Sequence, residues 1–502
     1  MTATGRAGLR GAGSGFPGWG VAGLDALAGA SIALAQAPLL AWYLAFPGLI
    51  WAMSRMLRPT TARGGWWAGW FVGAGYFGTY LNWIVSPFFV DPWVYGWMAP
   101  FAWVLMAFGL GLFWAAAAAL AVRFPNRALG LAFGLAAMEL LRGHIFTGFP
   151  WAQIGHLWLG SWAEQTVALV GATGLTVLTL VAASLPQVHR LWGGVAGGAL
   201  VIGVFAAGFL RASGPDTPAR DVTLRLVQPN AEQHLKWDPE QARALFQRQL
   251  QFTAEGSPAD LTIWPETAVP YLLEYAPEVA GMITSASGGN PVAIGIQRVE
   301  GERGWNSLRL LQGDGVVSAT YDKFHLVPFG EYMPLGDLVH DWFGIGAFAA
   351  QVGNGYSAGP GPALIDLGPK AGRVLPLICY EALFPDIPRQ VERPDWILQI
   401  TNDAWFGTLT GPFQHFQQSR LRAIEMGLPL VRVANTGLTA VIGPRGRVEM
   451  ALPFGTAGFL DVPRIGTGLP PTPYARWGDL AAYLMLGALV LAALWAPRLK
   501  VA

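Results

Sequence analysis

The sequence predicts two architectures in one chain: a polytopic helical membrane half of about eight spans, and a folded α/β domain inserted before the last of them. Three observations carry this. Apolar residues make up 53% of the 502 positions and charged residues only 13%, against roughly a quarter charged in ordinary soluble domains. Apolar windows fill the first 212 positions. From position 213 the texture changes to short strands separated by helical patterns, and one apolar helix follows near the end.

In chain order, spans are expected near 21–36, 38–53, 66–88, 95–121, 128–146, 163–186 and 191–211, with an eighth near 477–496 in LAAYLMLGALVLAALWA. The first two are short and flank Ala37-Pro38, which suits a tight helical hairpin, and Asp25 counts against the first as a free-standing span. A Gly-rich lead of 20 residues separates that first segment from the pattern of a cleaved signal peptide. Arg6, Arg10, Arg55, Arg58, Arg63, Arg123, Arg127, Arg190, Arg498 and Lys500 fall on one side if the spans alternate, whereas the opposite short loops hold Arg142 alone. Short loops rich in Arg and Lys stay in the cytoplasm. The expected division is therefore 1–212 with seven spans, 213–475 as the domain on the outer side, and 476–502 with the last span and a cytoplasmic tail.

The inserted segment reads as strands VTLRLVQ, LTIW, VAIGIQ, VLPLICY, WILQI and LVRVAN, interleaved with helical patterns such as PEQARALFQRQLQFTA (239–254) and FQHFQQSRLRAIEM (413–426). Its size suffices for a core of its own. With 32 basic and 31 acidic residues the net charge is +1, which gives no electrostatic basis for binding nucleic acid. A single cysteine excludes an internal disulfide, and no Cys/His cluster has zinc-ligand spacing, so neither metal nor cofactor is expected.

That cysteine, Cys379, ends the apolar run VLPLICY. A lone thiol is more often a small buried hydrophobe than a nucleophile. At a strand-to-helix turn, however, a nucleophile is held rigidly, and the N–H of the next residue, Tyr380, can face a developing oxyanion. Two further apolar strands end in Glu266 (LTIWPET) and Lys323 (VSATYDKFHLVPFGEYMP). Each alone reads as a solvated loop residue. Together they divide three tasks: a thiol nucleophile, a carboxylate in a dry pocket to take its proton, and an ammonium to face the tetrahedral intermediate.

Glu266, Lys323 and Cys379 in that order, within WPE, YDKFHLVPFGEYMP and ICYE, resemble the nitrilase superfamily of carbon–nitrogen hydrolases. LRGHIFTGFPW (141–151), QPN and KWDP (228–239), TNDAWFG (401–407) and VANTG (433–437) extend the resemblance over nearly the whole chain, to the apolipoprotein N-acyltransferase family. The resemblance implies an αββα sandwich for 213–475, placed on the periplasmic side of the bacterial cytoplasmic (inner) membrane. It implies that a fatty acyl chain passes from a phospholipid to Cys379 as a thioester, and then to the α-amino group of a diacylglyceryl-cysteine on an apolipoprotein. Glu266 would act as base, Lys323 and the Tyr380 N–H would stabilise the oxyanion, and Glu331 and Glu381 would position the three.

Trp342 and Phe343, in the apolar stretch LVHDWFGIGAFAA after Glu331, are expected to form an arm that dips into the bilayer surface. Trp237 and Trp405 lie in family-like stretches and are candidates to line the acyl or lipoprotein groove, although many of the 23 tryptophans suit an interfacial belt. Glu139 and Arg142 share a face of the fifth span and read either as a pair ordering the mouth of the lipid site or as a structural pair. The alternative activity is a membrane-anchored amidase or nitrilase that uses the same three residues on a small C–N substrate. A catalytically dead scaffold would be expected to lack one of the three, and none is missing.

Overall fold

The computed structural model describes residues 16–236, 238–334 and 355–495. Trp237, Trp342, Phe343, Arg6, Arg10, Arg498 and Lys500 lie outside the described residues.

The first seven apolar segments are helical: α1 (Trp19–Ile32), α2 (Trp42–Leu57), α3 (Ala62–Tyr80), α4 (Pro92–Tyr95) running on into α5 (Ala99–Ala121), α6 (Arg127–Arg142), α7 (Val167–Val188) and α8 (Arg190–Ala212). Among the described residues, three helical stretches are long and apolar enough to cross a membrane: Pro92–Ala121, Trp162–Val188 and Arg190–Ala212. The other expected spans are shorter or more polar for visible reasons. The 66–88 segment leaves the α-helix at Tyr80 for a 3-10 stretch containing Pro87, and the 128–146 segment stops at Arg142. Asp25, which weakened the first span, is buried against Arg55 of α2 at 2.6 Å, so two charges costly in an apolar layer neutralise each other.

Gly65, Gly69 and Gly73 recur every fourth residue on α3, one stripe of the helix surface, and α5 packs directly onto it. A Cβ at Gly69 would lie 2.3 Å from the Trp114 carbonyl oxygen. Small residues thus let the two backbones touch, the usual device of helix pairs in membranes.

The inserted domain opens with β1 (Ala219–Arg220), β2 (Leu224–Gln228), α9 (Pro239–Ala254), β3 (Leu261–Ile263), α10 (Glu278–Ala286), β4 (Val292–Glu300), β5 (Arg303–Leu311) and β6 (Val317–Asp322). It continues with β7 (Ile365–Asp366), β8 (Arg373–Ile378), β9 (Trp396–Thr401), α11 (Gly411–Met426), β10 (Leu430–Ala434), β11 (Thr439–Ile442), β12 (Val448–Leu452), β13 (Gly458–Val462) and β14 (Ile465–Gly466). A short helix α12 (Pro473–Trp477) then leads to α13 (Leu480–Trp495), the eighth expected segment, which is apolar but short. Two six-stranded sheets form, ordered β13-β2-β3-β4-β5-β6 and β12-β11-β10-β9-β8-β7, and β1 pairs with β14. The central strands β2, β3, β4 and β8, β9, β10 run parallel.

Alternation along the strands assigns each side chain to a layer. Leu224, Leu226 and Ile263 of one sheet meet Val374, Ile378, Leu398, Ile400 and Val431 of the other between the sheets. Phe246 of α9 and Ile283 of α10 cover the outside of the first sheet. On the outside of the second, Leu375, Leu377, Ile397 and Leu430 pack with Leu421 and Ile424 of α11, and that cluster runs without a break into Tyr76, Trp151 and Leu180 of the membrane half. The domain is an αββα sandwich whose last layer is shared with the membrane half.

Candidate active site

The ends of β3, β6 and β8 deliver Glu266, Lys323 and Cys379 to one buried place. Cys379 directly follows Ile378, the last residue of β8, and opens a 3-10 turn to Leu383. Its φ of +52° is in the left-handed region, which a non-glycine residue adopts only when its surroundings enforce it. The Glu266 turn is similar, with Thr267 at φ +46°. Lys236 cross-links that turn: its Nζ donates to Thr267 Oγ1 at 2.6 Å and to the Glu266 carbonyl at 3.3 Å. Burial lowers this ammonium to about 8, although Glu266 opposes the shift.

Lys323 Nζ lies 2.8 Å from Glu331 Oε2, 2.9 Å from Glu331 Oε1 and 3.8 Å from Glu266 Oε1. Asn306 Nδ2 bridges the two carboxylates, donating to Glu266 Oε1 at 2.7 Å and to Glu331 Oε1 at 3.2 Å. The other Glu266 oxygen accepts from the Asn402 N–H at 2.7 Å. Burial pushes the Glu266 carboxyl up, Lys323 pulls it down and Glu331 adds to the rise; the net direction is up. Burial alone would lower Lys323, but Glu331 and Glu266 outweigh it and hold the ammonium charged. Burial, then the Glu266 charge, push the Cys379 thiol up; Lys323 opposes them. The thiol is therefore neutral at rest.

Glu381 holds the strand ends together. Its Oε1 accepts from the Phe324 and His325 N–H groups at 2.9 and 3.2 Å, directly after Lys323. Its Oε2 accepts from the Ile378 N–H at 2.8 Å, directly before Cys379, and from the Tyr321 hydroxyl at 3.1 Å. Burial raises this carboxyl to about 7 against those hydrogen bonds. Glu331 Oε2 accepts from the Val327 N–H at 2.9 Å and so closes the loop that carries it. Tyr380 is buried, and its hydroxyl donates to the Gly148 carbonyl of the membrane half at 3.3 Å.

Glu139 and Arg142 are both buried on α6 but do not bond each other. Arg142 donates to the carbonyls of Phe149 (2.5 Å) and Trp151 (2.6 Å), while Glu139 Oε2 accepts from the Ile154 N–H (2.9 Å). The pair expected from their spacing is instead two anchors for the 149–154 loop, because backbone groups in an apolar layer must find partners. Trp405 is half-buried on the 3-10 turn Asp403–Phe406. Among the described residues no three His, Cys, Asp or Glu side chains converge as metal ligands do.

Sequence reasoning passed over Asn306, Asn402 and Lys236, and also the buried group Asp403, His415 and Arg432. The legible signal was polar residues inside apolar strands: Gln399 in WILQI and Arg432 in LVRVAN must have partners if those strands are central.

The αββα sandwich is the fold class of the inserted domain, and residues 223–463 match the family model described as carbon-nitrogen hydrolase. Residues 28–185 match the apolipoprotein N-acyltransferase N-terminal domain. The apolipoprotein N-acyltransferase of Caulobacter vibrioides is 38% identical over 492 residues, 92% of this chain and 92% of its own length. Those of Rhodopseudomonas palustris and Bradyrhizobium diazoefficiens are 36% and 37% identical, covering 96% and 97% of this chain and 96% of each relative. The chain belongs to the apolipoprotein N-acyltransferase family.

Proposed function

We propose that this chain moves a fatty acyl group from a phospholipid to the N-terminal α-amine of the diacylglyceryl-cysteine of an apolipoprotein, the last step of lipoprotein maturation, through a thioester on Cys379. The observation that carries this reading is a buried thiol on a strained turn, within the field of both a carboxylate of raised proton affinity and a charged ammonium, on the sheet that packs against the membrane helices. Full-length kinship to N-acyltransferases favours acyl transfer over the amidase alternative.

In the first half-reaction the thiol proton passes to Glu266 as sulfur attacks the ester carbonyl carbon. The resulting oxyanion is stabilised by Lys323 and the Tyr380 N–H. The C–O bond then breaks, Glu266 returns the proton to the departing lysophospholipid oxygen, and the acyl group remains on sulfur. In the second, the uncharged lipoprotein amine attacks the thioester carbonyl, the C–S bond breaks, and the amine proton restores the thiol by way of Glu266. Glu331 and Glu381 keep Lys323 and Cys379 in register, and Trp237, Trp342, Phe343 and Trp405 are assigned to the lipid and lipoprotein groove. Glu139 and Arg142 shape its membrane side through the 149–154 loop.

The chain is read as an eight-helix multi-pass protein of the bacterial inner membrane, divided at about 212 and 475, with the catalytic domain periplasmic. Arginine placement supports that orientation. Arg127 donates to the Leu57 carbonyl at 2.9 Å, which gathers the arginine-bearing ends of α2 and α6. Trp83 and Trp151, at the other end, donate to Gln414 of the catalytic domain at 3.2 and 2.8 Å. Basic loops mark the cytoplasmic side.

The test is incubation of the purified chain with phospholipid and a diacylated lipopeptide. A triacylated product is expected. Ammonia release from small amides with no triacylated product would replace this reading with the amidase.

A further inference from the structure

His415 lies on α11 and is fully buried together with Asp403 and Arg432. Its Nδ1 is 2.9 Å from Asp403 Oδ1, and its Nε2 is 3.1 Å from the carbonyl oxygen of Cys379. Arg432 Nη2 bonds Asp403 Oδ2 and approaches His415 Nδ1 to 3.3 Å, while its Nη1 donates to Ser419 Oγ at 3.1 Å. Thr401 Oγ1 donates to Asp403 Oδ1 at 3.1 Å. Gln399 Nε2 donates to the same Cys379 carbonyl at 3.3 Å. The ring donates to the Cys379 carbonyl whenever Nε2 carries a proton, either as the imidazolium, whose Nδ1–H then donates to Asp403, or as the neutral Nε2–H tautomer, whose Nδ1 accepts from Arg432. The neutral Nδ1–H tautomer donates to Asp403 instead and accepts at Nε2 from Gln399 Nε2, 3.3 Å away, so the grip on the carbonyl requires the proton on Nε2.

The consequence follows from the planarity of the peptide. The Cys379 carbonyl and the Tyr380 N–H belong to one peptide unit and, in its trans form, point in opposite directions. Whatever fixes the carbonyl on the α11 side fixes the direction of that N–H on the other. The local backbone does not hold this plane unaided, because the φ of +52° at Cys379 is a conformation that must be imposed. The carbonyl lies on the face of the second sheet from which Gln399 and Arg432 project, by the alternation that sends Leu398 and Val431 to the inner core.

We propose that His415, clamped by Asp403 and Arg432, is a positioning residue that grips the Cys379 carbonyl and thereby aims the Tyr380 N–H at the oxyanion of the acyl-transfer step. This rests on the thioester reading above. His415 touches neither substrate nor thiol, so its loss slows steps that develop an oxyanion and spares those that do not.

The test uses the full-length chain in micelles of phosphatidylethanolamine and phosphatidylglycerol, with two readouts at Cys379. One is the acyl adduct followed by mass spectrometry. The other is alkylation by iodoacetamide, a displacement in which no carbonyl oxygen gains charge. His415→Ala is expected to slow adduct formation by about 10- to 100-fold, approaching the loss of one oxyanion donor, with alkylation within about twofold of native. His415→Gln, whose amide N–H can reach the carbonyl without a ring, is expected to recover most of the adduct rate. A near-native adduct rate in His415→Ala overturns the proposal, as does equal loss of both reactions in His415→Gln. Absence of an adduct on the native chain would instead overturn the thioester reading itself.

Discussion

Removing the ammonium of Lys323 by Lys323→Met tests how the site keeps Glu266 able to accept a proton. Lys323 Nζ is 3.8 Å from Glu266 Oε1, and the two side chains are 1% and 7% exposed. At an effective dielectric of roughly 20, unit charges at that separation interact by about 4 kcal/mol. Since about 1.4 kcal/mol is a factor of ten, loss of the cation lowers the ratio of ionised to neutral Glu266 at fixed pH by about three orders of magnitude. The Asn306 and Asn402 donors remain and offset part of this. Glu331, 2.8 Å from the same ammonium, is left unpaired and pushes in the same direction as the loss. The sign for pH follows: Glu266 must be ionised to take the thiol proton, so the variant gains more from a rise in pH than the native chain does. The assay is the rate of acyl-adduct formation on Cys379 between pH 6 and 9, by quenched mass spectrometry. A near-native rate, or a loss of the same factor at every pH, would refute the coupling of Lys323 to Glu266.

Other expectations are read in the same system. Cys379→Ala should insert and fold yet yield no triacylated product in membranes free of native enzyme; substantial product would remove Cys379 as nucleophile. Glu266→Gln cannot accept the thiol proton and should form no adduct over the pH range in which the native chain does, so a near-native rate excludes Glu266 as base. Asp403→Asn should destabilise the chain at neutral pH: burial alone would raise this carboxyl, but Arg432 and His415 hold it down to about 2 from 3.8, a difference worth about 2 kcal/mol. A group depressed in the folded state stabilises above its unfolded pKa and loses that contribution as pH falls, so the gap in thermal unfolding between variant and native should close from pH 4 towards 2; a gap constant with pH would contradict it. Gly69→Ala places a methyl 2.3 Å from the Trp114 carbonyl oxygen, so a lowered unfolding temperature in detergent is expected, and an unchanged one would mean that α3 and α5 can separate freely.

What the sequence revealed follows from which forces are local. The strands carrying Glu266, Lys323 and Cys379 were legible because each is an apolar run that stops at a polar residue, and burial and alternation are written along the chain. Asn306 was not legible: it sits inside β5, and its role depends on two carboxylates 40 and 25 residues away. Glu139 and Arg142 show the opposite error, since helical spacing placed them on one face but could not show that loop carbonyls compete for the guanidinium. The membrane half was read from hydropathy alone, and hydropathy registers neither where a helix gives way to a 3-10 turn, as after Tyr80, nor a buried ion pair such as Asp25 with Arg55.

The apolar cluster that passes unbroken from β8 through α11 into the membrane helices bears on how the chain can be dissected. Gln414 gathers the Trp83 and Trp151 indoles and the Tyr80 carbonyl within 3.2 Å, one residue before His415. A fragment cut to residues 213–475 would uncover the face of α11 that packs against α7 and would leave that amide without its partners. Solubilising the enzyme by truncation would thus strip away a wall of the inserted domain, and inhibitor screens or crystallisation trials built on the excised domain would sample Cys379 with its backing removed.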